Sequence, residues 1–250
     1  MRCLRLLLAA VAGLAAQPPA SVPESEILFY RAEWRLIHAG NVRLTWEASD
    51  SISAPGWHTD LEIETAGLVS RLYRVNNRYN SVHNVELCVE STFLKTHEGS
   101  RRRETRVTFD GERGKASLEE RDLVKNTVTT KEIEISPCEH DVIGALYHLR
   151  TLKLEPGQSA EIPISDGKKA VLAKVEAQER ETIKTDLGKF QTIRYEAFLF
   201  NNVLYRRSGR LFVWLTDDDR KLPVQIRVRL PFYIGTVTLQ LVKDGTGKSG

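Results

Sequence analysis

Residues 136–150 read SPCEHDVIGALYHLR, Ser136 to Arg150, and the fold turns on how this stretch is read. Ser136 suits an N-cap, Pro137 the first helical position, and Glu139 stands where a capping-box carboxylate reaches back. Val142, Leu146 and Leu149 recur at helical spacing, and Ile143 and Ala145 widen the apolar stripe. The spacing predicts one principal α-helix over about 137–151. Asp141 near its start and Arg150 near its end both suit the helix dipole. Arg150 is also placed to anchor the helix to a strand carboxylate.

Outward from this helix, nearly everything reads as β-strand. In ILFYRAEWRLI, from Ile27, the residues Leu28, Tyr30, Ala32, Trp34 and Leu36 share one face. His38 to Asn41 is the expected turn, and Val42, Leu44, Trp46 and Ala48 repeat the pattern on the return strand. Later strands are expected at Leu61–Ile63, Arg78–His83, Val85–Val89, Phe93–Glu98, Arg101–Asp110, Ala116–Glu120 and Thr127–Ile135. After the helix come Ala160–Ser165, Ala170–Arg180 and Phe190–Phe200. A closing meander runs through Gly209–Thr216, Pro223–Leu230 and Gly235–Val242. Ala66 to Tyr73 fits either a helical turn or a strand start.

Two strands are apolar on both faces. Phe198 and Phe200 oppose Tyr195, Ala197 and Leu199, while Phe212 and Trp214 oppose Leu211, Val213 and Leu215. Such strands need cover on both sides. The helix supplies one cover, and the other must be more protein, a ligand or a partner. The expected fold is mainly β: a large antiparallel, strongly curved sheet or partly open barrel, with the helix against its concave side. A single domain is expected over 26–244, with Ser21 to Ser25 as a flexible lead-in and 245–250 as a flexible tail.

The N-terminus points to export. Met1 to Arg5 is a short basic region, and the apolar run Leu6 to Ala16 ends in small residues, the pattern of a signal peptide over 1–16. Cleavage after Ala15, Ala16 or Ala20 fits equally well. The run is too short to span a bilayer, no later stretch is a membrane span, and Cys3 is misplaced for lipidation. Of the net charge of +3, Arg2 and Arg5 contribute two, so a near-neutral chain remains without the footprint of a nucleic-acid binder. Cys88 and Cys138 are then the two cysteines left, in a compartment where disulfides persist. Spacing leaves a bridge and two separate thiols both open.

Catalytic chemistry finds little support. Cys138, His140 and His148 lack the three or four convergent ligands of a zinc site, so neither metal nor cofactor is expected. Asp217-Asp218-Asp219 lacks the glycine and distal Glu of a calcium loop and reads as a solvated turn. No GxSxG elbow or protease-like cysteine is present, and no carboxylate pair stands out as a glycosidase dyad. Arg101 to Arg103 reads as solvated hairpin charge.

Two segments carry a family resemblance. Asp141-Val142-Ile143-Gly144-Ala145-Leu146-Tyr147-His148-Leu149-Arg150 resembles the helix motif of a bacterial exported family known as domain of unknown function 3108. Trp214 to Val224, WLTDDDRKLPV, resembles that family's C-terminal hairpin. Tyr30, Trp34 and Gly40, and Gly235-Thr236-Val237, also fit. Ser136, Asp141, Tyr147, Arg150, Asp218 and Pro223 are thus structural signatures. The resemblance implies an exported, mainly β protein similar in shape to LolA-like half-barrel carriers of the periplasm.

The expected function is that of a non-enzymatic periplasmic or secreted carrier for a lipid or other apolar ligand. Trp34, Trp46, Phe198, Phe200 and Trp214 are the expected groove lining. The alternative is a cell-envelope module with a filled β-core that docks a protein or glycan through an apolar strip or sheet edge.

Overall fold

The computed structural model describes residues 22–49, 55–233 and 235–245. The expected leader over 1–16 and residues 246–250 of the expected tail lie outside these. Fourteen strands follow in chain order: β1 (Ser25–Trp34), β2 (Ile37–Ser49), β3 (Gly56–Thr65), β4 (Asn76–Asn84), β5 (Val89–Glu98), β6 (Arg101–Asp110), β7 (Lys115–Asp122), β8 (Thr127–Glu134), β9 (Ser159–Ser165), β10 (Ala170–Thr185), β11 (Gly188–Ala197), β12 (Arg210–Thr216), β13 (Pro223–Arg229) and β14 (Thr236–Gly245). A short helix α1 (Gly67–Leu72) joins β3 to β4, and α2 (Val142–Thr151) lies between β8 and β9.

All fourteen strands form one antiparallel sheet in the order β8-β7-β6-β5-β4-β3-β2-β1-β14-β13-β12-β11-β10-β9. Apart from β8 and β9, each strand pairs with its sequence neighbours, and β14 returns to β1. The two free edges, β8 and β9, are joined in sequence by the segment that holds α2. Side chains narrow this seam: Lys168, in the β9–β10 turn, pairs with Glu120 of β7 at 2.6 Å. Gly167 in the same turn approaches β6 so closely that a Cβ would lie 2.5 Å from Val107. The architecture is the curved, unclosed antiparallel sheet that the strand pattern implies.

The helix fills the sheet's interior. Ala145, Leu146 and Leu149 pack with Ile162, Ile164, Ala173, Val175, Val213 and Leu215 of the second half of the sheet. Tyr147 faces the other way, into Leu28, Val42, Trp46 and Trp57 of the first half. Burial on both flanks explains why one short helix organises so large a sheet.

The helix starts later than expected. Its N-cap is Asp141, whose side chain accepts the Gly144 N–H, and the first helical residue is Val142. Glu139 does reach back to the Ser136 N–H, at 2.9 Å, but in a non-helical turn. Tertiary bonds hold 136–141 out of the helix. Cys138 is joined to Cys88, Val89 donates to the Glu139 carbonyl, and His140 exchanges backbone bonds with Pro163 and Ser165. These long-range contacts override a good local start signal.

Other departures have similar causes. The β1–β2 turn is Arg35-Leu36, both at positive φ, and not His38 to Asn41. Gly40 sits inside β2, where a Cβ would meet the Glu64 carbonyl at 2.2 Å. Val85 to Cys88 is a turn, because Asn84 Oδ1 accepts the N–H groups of Glu86 and Cys88 at 3.0 Å each. Val22 is buried, and Ala48 donates to the Glu24 carbonyl, so the expected lead-in is already packed. Gly245, expected in the tail, ends β14 opposite Ile27.

Of the two doubly apolar segments, Leu211 to Leu215 obtains its second cover from within the chain. A register shift between Ala177 and Arg180 lets the far half of the β10–β11 hairpin bend over the sheet face turned away from α2. Ile183 and Phe190 pack there against the cluster that holds Phe212 and Trp214. Glu181 accepts the Trp214 indole N–H at 2.8 Å, Gln240 donates to the Lys184 carbonyl, and Asp186 pairs with Arg31.

Candidate functional site

A cleft of about 520 Å³ opens on the concave side where α2 leaves the sheet uncovered. Leu61 and Ile63 of β3, Leu94 of β5, and Val142 and Ile143 of α2 form its apolar wall. The period-2 alternation of the strands creates this wall, since residues 61 and 63 of one strand necessarily face the same way. Tyr79 and Asp141 contribute polar atoms, Tyr205 reaches in from the β11–β12 connection, and Arg101, Arg103 and Lys168 stand with Glu98, Glu120 and Asp166 around the rim. Arg103 is shared by Glu120 and Asp122, each at 3.4 Å.

At the inner end, Asp141 accepts three hydrogen bonds: from Tyr79 Oη at 2.5 Å, His83 Nε2 at 2.7 Å and the Gly144 N–H at 2.7 Å. Burial alone would raise its pKa. The His83 ring and the bonds from Tyr79 and Gly144 outweigh that and hold the carboxyl at about 2. A carboxylate engaged in this way caps the helix and pins it to β4. Gly144 is required here, because a Cβ would lie 2.7 Å from Asp141 Oδ1 and 2.9 Å from His83 Nε2.

The other end of the helix has its own anchor. Arg150 donates to both oxygens of Glu26 on β1, at 2.7 and 3.0 Å, and to the Arg220 carbonyl at 3.1 Å. Tyr147 Oη donates to the same carboxylate at 2.9 Å. Trp46 stacks on the Tyr147 ring at 3.7 Å and on Trp57 at 5.4 Å. The β3–β4 face beside them carries Trp57 Nε1, Thr59 Oγ1, Ser81 Oγ and His83 Nδ1, which with Trp46 Nε1 are buried without a protein partner. Groups of this kind hold ordered water or the polar end of a ligand.

The five aromatics expected in a groove go elsewhere, and none lines this cleft. Trp46 is core, and Trp214 lies under the β10–β11 hairpin on the face away from α2. Trp34, partly buried, ends β1 beneath the Arg35 guanidinium. Phe198 and Phe200 fall beyond the end of β11; Phe200 packs on Tyr205, and Phe198 is exposed beside Lys174. Their alternation signalled burial but not which face, and the residues that do line the cleft are ordinary strand aliphatics with no local signal.

The signature residues of the C-terminal hairpin make a turn. Asp218 Oδ1 accepts the Thr216 hydroxyl and the N–H groups of Arg220 and Lys221, and the Pro223 carbonyl accepts Tyr30 Oη at 2.8 Å. His140 and His148 stack at 4.5 Å, and His140 Nδ1 bonds the Leu87 carbonyl. Among the described residues no three His, Cys, Asp or Glu side chains converge as a metal site, and no helix is long and apolar enough to cross a membrane.

Among solved structures the chain is similar to a β-barrel-like protein of domain of unknown function DUF1849 from Brucella abortus. The likeness has 11% identity, 92% of this chain, 100% of that chain and a TM-score of 0.59, and it shows a shared fold alone. A protein with a YmcC-like fold from Bacteroides fragilis gives 9% identity over 92% of this chain and 98% of that one, at a TM-score of 0.38 too low to argue from. No match is found among curated proteins. A family model described as a protein of unknown function, DUF3108, matches residues 30–242. With most of its length covered by that match, the chain belongs to the DUF3108 family.

Proposed function

We propose that the protein is an exported, non-enzymatic carrier that holds a lipid or other apolar ligand in the cleft between β3–β6 and the start of α2. The observation that carries this reading is the cleft itself. Its volume of about 520 Å³ falls within the range of small-molecule sites. Its wall of Leu61, Ile63, Leu94, Val142 and Ile143 is apolar, while Tyr79, Asp141, Arg103, Glu120 and Lys168 beside it are engaged with one another or with neighbouring strands. Export is supported by the leader pattern at 1–16 and by the Cys88–Cys138 bridge, a bond that persists in oxidising compartments.

The test is mass spectrometry of an organic extract from exported protein purified without detergent, paired with uptake of a fluorescent fatty-acid probe. A stoichiometric apolar compound, and probe uptake abolished by Leu94→Glu in a folded variant, are the expected results. A clean extract together with no probe uptake would overturn the carrier reading and favour the envelope-module alternative.

A further inference from the structure

In an antiparallel meander, successive turns alternate between the two ends of the sheet. The connections after β1, β3, β5, β7, β9, β11 and β13 therefore share one end. The large apolar side chains that stand exposed among the described residues gather at that end. Leu36 is 94% exposed, Phe232 96%, Tyr233 77% and Leu72 74%, with Leu68 and Val124 beside them in the sequence of turns. Leu187, in the β10–β11 turn, is the exception at the opposite end.

Folding does not account for these residues. Leu36 occupies a turn position at φ +67, where Asn or Gly is the unstrained choice, and its side chain is almost wholly in solvent. The tip that carries it is braced: the Arg35 guanidinium donates to the carbonyls of Phe232 at 2.9 Å and Tyr233 at 3.0 Å. Two hairpin tips are thus locked into one projecting platform.

Charge follows the same division. The connections at this end carry eight basic residues, among them Arg35, Arg71, Arg74 and Lys125, against one acid, Asp166. The described connections at the other end, α2 included, carry nine acidic and five basic residues. Arg227 and Arg229, just below the platform, add two further cations beside Leu36 and Phe232.

We propose that this end of the sheet is a membrane-docking face. The apolar tips enter the interfacial layer of an anionic phospholipid surface, and the basic ring meets the headgroup phosphates. Single apolar side chains on separate projecting tips, ringed by cations, suit a broad deformable anionic surface. The cleft opens towards the same end, since Ile63, Asn77, Glu98 and Arg101 at its rim are strand-terminal residues there. Docking would place its mouth at the bilayer, but the docking face stands whether or not the cleft holds a ligand.

Vesicle co-sedimentation of the mature chain tests this, using phosphatidylglycerol–phosphatidylethanolamine vesicles against pure phosphatidylcholine. Binding to the anionic vesicles alone, released by high salt, is expected. Arg71→Gln and Arg74→Gln should each weaken it about fivefold. The pair Leu36→Ser with Phe232→Ser should abolish it without changing thermal unfolding, while Leu187→Ser at the far end should leave it intact. Absence of binding at low salt, equal binding to neutral vesicles, or insensitivity to the serine pair would overturn the proposal. So would a stable dimer, seen by size-exclusion chromatography, that the same serines dissolve, because the platform would then be a subunit interface.

Discussion

Glu26 and Arg150 are each about 1% exposed and meet through two charged hydrogen bonds at 2.7 and 3.0 Å. Arg150→Met keeps much of the aliphatic stem but deletes both bonds and the guanidinium that lies over the Tyr147 ring. The Glu26 carboxylate then stays buried with the Tyr147 hydroxyl as its remaining side-chain partner. Removing one partner of a buried pair costs about 3–5 kcal/mol, because the remaining charge keeps its desolvation penalty and loses the attraction that offset it. In a domain of this length each kcal/mol moves Tm by about 2–4 °C, so a fall on the order of 10 °C is expected. Glu26→Gln combined with Arg150→Met removes both charges and should recover a large part of the loss. Urea and thermal unfolding of the wild type, both single variants and the double variant give the coupling directly. A single-variant loss below about 1 kcal/mol, or strictly additive losses, would refute the idea that this pair holds the helix as a buried ion pair.

Three further outcomes follow from the same helix. Burial, helped by the nearby His148, pushes the His140 pKa down from 6.5 to about 4. The unfolded chain therefore protonates first as pH falls, and stability that is complete above about pH 6.5 declines towards pH 4, by about 3 kcal/mol. Asp141, held at about 2 against 3.8, adds its own loss of about 2 kcal/mol as pH falls below 3.8. Urea midpoints across this range check both, and a flat profile between neutral pH and pH 4 would count against the His140 contribution. Gly144→Ala should lower Tm despite the better helix propensity of Ala, because Asp141 and His83 must move by several tenths of an ångström; an unchanged or raised Tm would show that the site yields freely. Reducing the Cys88–Cys138 bond, which closes a separation of 50 residues, should cost about 4 kcal/mol in urea unfolding, and an unchanged midpoint would contradict that.

Much of the sheet was legible because its signals are local. Turn residues and period-2 alternation place most of β1 to β14 within a few residues, and the single 3.6-residue pattern at 142–151 marks the helix. Misplaced boundaries trace to non-local competitors. Ser136-Pro137 is a sound helix start in isolation, but Cys88, Val89 and the β9 backbone claim 136–141. The glycine at 40 looked like a turn residue, yet its role is close approach to Glu64 on the next strand.

The amino-acid sequence by itself determined the fold class, the helix, the two aromatic strands and the family resemblance, since each rests on spacing within a dozen residues or on composition. Tertiary structure alone decided which face each aromatic occupies. The bend in β10–β11 sends Trp214 under a hairpin, and the stack on Tyr147 sends Trp46 into the core, so the cleft is left to aliphatics. It also decided that Asp141 meets Tyr79 and His83, that Arg150 meets Glu26, and that the exposed apolar tips share one end of the sheet. Those pairings join residues dozens to more than a hundred positions apart, and only the curling of the sheet around α2 brings them together.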